Sequence, residues 1–544
     1  MKLGFIGWLI GVFSIVLVAL FFSSIWPLVS VDLGRPKSHY IGVGRDLARE
    51  QVPDIDSFTG FVSLAVRSEE ADALQEEFSQ EQVQTWTEEP NGLVRYYVRF
   101  RKDQDPRAFV VTVSVDGELI GFKETLTPES VTGEQVTEQE ARDLIERSLL
   151  ESYGIDFKGE APRSSVITQQ FGKQVTEATY ARPFKTSAII EERFFARVVD
   201  GRVMEVARRV SLTDDAEFQR SKTRGPEQGM DRLGYLLMGI GLLVAYIVFI
   251  FQLRRGNLEL KPSLLVGALL FFMVFASALL DRNYQFEAWN PLWPRLTMWI
   301  RMTSSQFFSA IWALLLGWTL LAAGSGVPGT GKEKTETFWR FMRLRWGDRD
   351  IALASIRGVA IGFFCGAVLI GIVKLLAITS GGEVGLQPRG FYLTMLDRQW
   401  PALALLLFFF PIAVIEEAGY RLFGGLWIDR STKLRWLAIA VPAIIFGLVH
   451  TTLGFLPPES PWWGRAVVMI AVGIVWGWAF FKFDYLTVVL SHLMADLVIF
   501  AWPLLFSEYW GSRITAWVVA SVALWPALIW GLTRLSPKAK KINH

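Results

Sequence analysis

Pro401-Ala-Leu-Ala-Leu-Leu-Leu-Phe-Phe-Phe-Pro-Ile-Ala-Val-Ile-Glu-Glu-Ala-Gly-Tyr-Arg421 runs uncharged and apolar up to Ile415, then sets two carboxylates side by side, Glu416 and Glu417. A carboxylate near the centre of a membrane helix costs roughly 2.5 to 3.5 kcal/mol on insertion scales, so an adjacent pair needs a compensating reason. Glu417 and Arg421 are four residues apart and share a helix face, while Glu416 points about a quarter-turn away. The spacing predicts a division of labour. Arg421 holds Glu417 ionised and fixed in rotamer, and Glu416 faces a polar cavity, free to take a proton from water.

Working outward, hydrophobic residues make up 51% of the 544-residue chain. Apolar runs suited to a bilayer recur at 232–253, 263–280, 305–323, 351–378, 401–425, 436–455, 464–481, 485–508 and 514–533. With an uncleaved anchor at 1–28, which lacks a small-x-small cleavage site, this makes a polytopic α-helical membrane protein of about ten spans. An α+β soluble domain, 29–230, is inserted after the first span. Linker helices and a cytoplasmic loop occupy 231–349, a membrane core 350–535, and a basic tail 536–544.

Alternation of these spans puts Arg254, Arg255 and Lys261, the stretch Lys332 to Arg349, Arg430 to Arg435, and Lys538, Lys540 and Lys541 on one side. The positive-inside rule makes that side cytoplasmic and the 29–230 domain extracytoplasmic in an integral membrane protein, and a bacterial plasma membrane is the setting expected for such an architecture. Trp26, Trp289, Trp293, Trp400, Trp462, Trp463 and Trp510 fall near span ends and suit an interfacial belt. Trp476 and Trp478 fall mid-span and are expected to pack internally. A net charge of +2 offers nothing to a nucleic acid, and a single cysteine, Cys365, excludes an intrachain disulfide and a multi-cysteine zinc site. Membrane lipid is the partner that composition names.

Within 29–230, Arg45-Asp46-Leu47 is echoed by Arg142-Asp143-Leu144, and each is followed by strands and an Asp-Gly turn, at Asp116-Gly117 and Asp200-Gly201. Thr137 with Glu140 predicts a capping box. Helix plus antiparallel hairpins, twice, resembles a tandem pair of PepSY-like modules, which implies a domain that binds or inhibits a peptidase.

Two further constellations lie beyond the acidic pair. Phe446-Gly-Leu-Val-His450 places an imidazole one turn from an aromatic ring, and His492-Leu-Met-Ala-Asp496 puts an imidazole and a carboxylate on one helix face. The chain has four histidines, and the two within apolar spans both follow the acidic pair within about 80 residues. Each constellation has a structural reading, as a polar knot or an interhelical hydrogen bond. Their coincidence points to a site.

EExxxR, FxxxH and HxxxD, in that order on successive apolar helices, resemble the CAAX protease and bacteriocin-processing (CPBP, Abi) family of intramembrane proteases over about 350–535. The resemblance implies an endopeptidase acting on membrane-associated or prenylated peptides and membrane proteins, with Glu416, Glu417, Arg421, His450, His492 and Asp496 as site residues. Asp496 stands where family members often carry Asn. Two mechanisms fit these side chains: zinc held among Glu416, His450, His492 and Asp496, or direct activation of water by Glu416 and His450 while His492 and Asp496 stabilise the oxyanion. HExxH and the serine-hydrolase elbow are absent. The alternatives are a silent scaffold or bacteriocin immunity protein of the same fold, and a proton-coupled transporter.

The span limits put His450 roughly 10 Å further out than Glu416 and His492, at 1.5 Å per residue. Gly326-Val-Pro-Gly-Thr-Gly-Lys332 matches part of a phosphate-binding loop, but Glu333 stands where Ser or Thr is required, and a flexible cytoplasmic loop is expected there.

Overall fold

The computed structural model describes residues 2–25, 32–79, 82–83, 85–86, 89, 93–125, 135–256, 258–280, 294–380, 396, 398, 400–452 and 461–535. Trp26, Trp289, Trp293 and the lysines of the 536–544 tail lie outside them.

After α1 (Lys2–Phe21) and α2 (Lys37–Ala48) come β1 (Thr59–Val66), α3 (Ser68–Glu77), β2 (Val94–Arg101), β3 (Ala108–Ser114) and β4 (Leu119–Glu124). Then follow α4 (Glu138–Tyr153), β5 (Ser164–Gln170), β6 (Lys173–Pro183), β7 (Ile190–Val199) and β8 (Arg202–Leu212). All eight strands form one antiparallel sheet in the order β1-β2-β3-β4-β8-β7-β6-β5. Each half opens with a helix and contributes four strands, with α3 inserted between β1 and β2 in the first, and the two halves meet where their last strands pair, Phe122 opposite Val206. Asp116-Gly117 turns β3 into β4 and Asp200-Gly201 turns β7 into β8, with both glycines at positive φ. Alternation along the strands sorts the faces: Val98, Val111, Phe122 and Val206 sit in one buried row, while Arg99, Lys123 and Glu205 point the other way. At the start of α4, Thr137 Oγ1 accepts from Glu140 N at 3.3 Å and Glu140 Oε2 accepts from Thr137 N at 2.8 Å.

Thr213 caps α5 (Asp214–Arg254) directly after β8, so the sheet leads without a linker into a 41-residue helix. Next come α6 (Leu260–Leu279), α7 (Arg295–Ser325), α8 (Gly331–Met342), α9 (Arg349–Ser380) and α10 (Pro401–Glu417). A π-helical segment, Ala418–Gly425, continues into α11 (Leu426–Thr432). The remainder is α12 (Arg435–Val449), α13 (Gly464–Lys482), α14 (Tyr485–Leu505), α15 (Trp510–Ser521) and α16 (Trp525–Leu535). Among the described residues eight helices are long and apolar enough to cross a membrane, against the expectation of about ten. The other two expected spans correspond to shorter apolar helices, Leu9–Phe21 and Arg435–Val449.

Helix α14 is the axis of the bundle, with nearly all of its residues buried. Gly358 and Gly362 let α9 lie against it: a Cβ on Gly362 would stand 2.8 Å from the Ser491 carbonyl oxygen. The sheet domain rests on the end of the bundle where α14 gives way to α15. There Asp32 Oδ2 accepts from Glu508 N at 3.0 Å and Ser512 Oγ donates to Gly34 O at 2.9 Å. Phe61 of β1 also packs on Met298 and Met302 of α7.

At the opposite end, Lys334 Nζ donates to the carbonyls of Phe480, Phe481 and Phe483 at 3.1, 2.9 and 2.7 Å, closing the C-terminus of α13. The stretch expected as a flexible loop, Gly326 to Lys332, is instead a tight turn into α8, in which Gly331 packs on the last carbonyls of α7. Trp476 is buried as expected, but Trp478, 51% exposed, faces outward.

Candidate intramembrane active site

Helices α10 to α12 form an antiparallel hairpin turning at Lys433, a left-handed residue with φ 61°. Glu416 lies seventeen residues before Lys433 and His450 seventeen after it, so equal rise on both arms brings them to equal depth. Contacts along the hairpin agree: Gly425 lies against Ala438, and the Tyr420 ring is 5.3 Å from that of Phe446. The mismatch expected from the span limits does not arise. His450 caps the C-terminus of a helix of 15 residues, too short to carry its end across the bilayer.

A sealed polar chain backs the site. Glu417, with no exposure, accepts on Oε1 from Arg421 Nη1 at 3.1 Å and from His492 Nδ1 at 2.9 Å. Arg421 also donates to the Gly473 carbonyl at 3.4 Å and lies over the rings of Phe446 and Trp476 at 4.9 and 5.4 Å. Gly473 permits that approach, because a Cβ there would meet Ala443 Cα at 3.0 Å and Arg421 Nη2 at 3.3 Å. The π-helical segment starts immediately after Glu417, and its wider turn aims Tyr420 and Arg421 at α12 and α13.

His492 Nδ1 donates to a carboxylate, which leaves Nε2 facing Glu416 Oε2 at 3.8 Å and Asp496 Oδ2 at 3.5 Å. Glu417, from another helix, is therefore the group that orients His492, and Asp496 stands on the opposite ring nitrogen. Trp476 stacks on His492 with centroids 4.1 Å apart, and its Nε1 donates to Ser491 Oγ at 2.9 Å.

Glu416, His450, His492 and Asp496 line one cavity of about 270 Å³. Glu417 and Arg421 stand behind its wall. The expectation of a polar cavity is corrected: most of the lining is apolar, including Leu369, Phe409, Ile412, Met469 and Ile499. The expected split between the acids is present, since Glu416 keeps 28% side-chain exposure against none for Glu417. Glu416 Oε2 is sealed without a hydrogen-bond partner. His450 Nδ1 donates to the Phe446 carbonyl at 2.6 Å, so Nε2 is the nitrogen free to act. The Phe446 ring contacts both imidazoles, with centroids 4.2 Å from His450 and 6.2 Å from His492.

Among the described residues no three His, Cys, Asp or Glu side chains are grouped to hold a metal ion. Glu416, His450, His492 and Asp496, the four residues expected for zinc, share the lining of this one cavity. The sequence marks Trp476 as an internally packed tryptophan without giving it a part in the site, and it does not mark Tyr420, Gly473 or the cavity position of Cys365. Only Trp476, a tryptophan in mid-span, carried a signal of its own.

All six site positions fall within one matched segment. Residues 398–498 match the family model described as type II CAAX prenyl endopeptidase Rce1-like. The resemblance carried by the three motifs is thus borne out over about a fifth of the chain, and the Rce1-like match supports a CAAX-type intramembrane protease. No curated protein and no solved structure matches the chain.

Proposed function

We propose that this chain is an intramembrane endopeptidase that hydrolyses peptide bonds of membrane-associated or prenylated substrates by glutamate-activated water. The carrying observation is a carboxylate, Glu416, with a sealed, unpartnered oxygen on an apolar cavity that also receives His450, His492 and Asp496. Glu416 takes a proton from water and the water oxygen attacks the carbonyl carbon. The carboxyl then returns that proton to the amide nitrogen as the C–N bond breaks. His450 Nε2 holds the water from the other side. His492, doubly protonated between the carboxylates of Glu417 and Asp496, presents Nε2–H to the oxyanion. The apolar lining suits side chains or lipid-like groups next to the scissile bond. The basic loops are cytoplasmic and the sheet domain extracytoplasmic in a bacterial plasma membrane, where its PepSY-like halves control access to the site.

The test is cleavage of a membrane-peptide library by the purified protein in liposomes, wild type against Glu416→Gln, each with and without a zinc chelator. The expected result is a loss of about 10² to 10⁴ in rate for Glu416→Gln, with wild type indifferent to the chelator. Chelator sensitivity would move the mechanism to the zinc version. Equal activity of both proteins would remove Glu416 from the chemistry, and no activity in either would favour a silent scaffold.

A further inference from the structure

Arg95 on β2 is 6% exposed, yet among the described residues no carboxylate pairs with it and no hydrogen bond engages it. The Tyr97 ring lies 4.9 Å from its guanidinium carbon. Opposite Arg95 on β1 is Ala65, and the ladder continues through Arg67 N–H to Leu93 O at 2.7 Å, so Arg67 emerges on the same face. Arg209 of β8, opposite Arg193, lies on this same sheet face and is likewise unpaired among the described residues. Of the nearby carboxylates, Glu70 belongs to this cluster through Arg67, and the others are committed elsewhere. Glu70 stands 3.5 Å from Arg67, Glu205 is 3.1 Å from Lys123 and 3.3 Å from Arg197, and Glu191 pairs with Arg193.

Arg67, Arg95 and Arg209 each carry a sealed Nε without an acceptor. Burial, together with Arg67 and Arg209, pushes the Arg95 guanidinium down to about 10 despite Tyr97 and Glu70. Burial does the same in direction to Arg209, reinforced by Arg67 and Arg193 and opposed by Glu205 and Tyr97. Glu70 offsets one of these three positive charges, and among the described residues the three sealed Nε donors leave room for a further anion.

We propose that Arg67, Arg95 and Arg209 form a binding site for a phosphate group, supplied by an anionic lipid headgroup or by free phosphate. Guanidinium forks match tetrahedral oxyanions through paired N–H···O bonds. The site lies on the sheet face that also carries Phe61, the residue seated on Met298 and Met302 at the start of α7. It is independent of the protease reading.

The experiment follows the melting midpoint of the full-length protein in zwitterionic detergent. One arm titrates inorganic phosphate against chloride at matched ionic strength, and the other short-chain phosphatidylglycerol against phosphatidylcholine. A saturable rise is expected in at least one arm. Arg209→Gln should raise the half-saturating concentration at least about tenfold, Arg95→Gln should do the same independently, and Arg142→Gln, remote on α4, should leave it unchanged. A rise with phosphatidylglycerol alone assigns the phosphate to lipid, and a rise with inorganic phosphate at equal or lower concentration assigns it to a soluble ligand. No saturable rise in either arm, or a wild-type response in both variants, overturns the site.

Discussion

Carboxylates and guanidinium groups meet in both the sheet domain and the membrane core, but they are wired differently. In the sheet domain Arg107 holds Asp54 at 2.7 Å and Asp105 at 2.9 Å, and Arg49 reaches Asp46 and Asp56, all of them in contact with solvent. These links run in parallel, and water takes over when one is cut. In the core Arg421, Glu417 and His492 are joined in series through a single oxygen, with at most 4% exposure at any member. Pairs of the same residue types are therefore worth about 0 to 1 kcal/mol in one setting and several in the other, because only the sealed chain leaves a naked charge when it is broken.

The sharpest way to break this comparison is Glu417→Ala. It strands Arg421 with one long bond to Gly473 O and the faces of aromatic rings, and it frees His492 Nδ1. A loss of roughly 3 to 5 kcal/mol in detergent unfolding is expected, together with activity. Glu417→Leu combined with Arg421→Leu should recover much of the stability and none of the activity. Glu416→Gln under the same conditions should cost about 1 kcal/mol or less, since Glu416 Oε2 has no partner to lose. Equal stability losses for the two glutamates would mean that the core is not wired in series.

The Glu417–Arg421 pair was legible because it is local: four residues on one helix face, set by helical geometry alone. Glu417 to His492 was not, because that bond depends on how α10 is rotated against α14, which no single-helix spacing records. The common depth of Glu416 and His450 could have been found by counting residues from the Lys433 turn. Counting inward from assumed bilayer edges failed because α12 is shorter than a span. The π-helical segment at Ala418–Gly425 left no trace in composition, since the tertiary contacts of Tyr420 and Arg421 reward its wider turn. In the sheet domain, Asp-Gly turns and alternation marked the hairpins, whereas the pairing of β4 with β8 joins residues about 85 apart and has no local signature.

Trp476→Phe probes the wall behind the chain at smaller cost. The indole stacks on His492 and donates to Ser491 Oγ, and both elements lie on the same turn of α14. Phenylalanine keeps a ring but drops the donor, so about 1 kcal/mol of stability should go with that hydrogen bond. Turnover should fall by more than stability suggests, about tenfold, as the imidazole gains freedom to rotate. A variant with lower stability and unchanged turnover would show that Glu417 alone orients His492.

The smallest effect belongs to the parallel network. A hydrogen bond from Arg107 holds the Asp54 carboxyl below its ordinary range, and at Asp105 burial pushes upward but is outweighed by bonds to the same arginine. A carboxylate whose folded-state value is depressed binds fewer protons folded than unfolded in acid. Its stabilisation is thus present above the ordinary aspartate value of about 4 and is lost as pH falls below it. The urea midpoint of the full chain should decline between about pH 4 and pH 3, and Arg107→Gln should flatten that decline while costing little at pH 7. Solvent contact at Asp54 and Arg107 keeps the difference small, since a released partner is rehydrated rather than stranded. A decline as steep in Arg107→Gln as in the wild type would assign the acid sensitivity to other carboxylates and remove Arg107 from the network's balance.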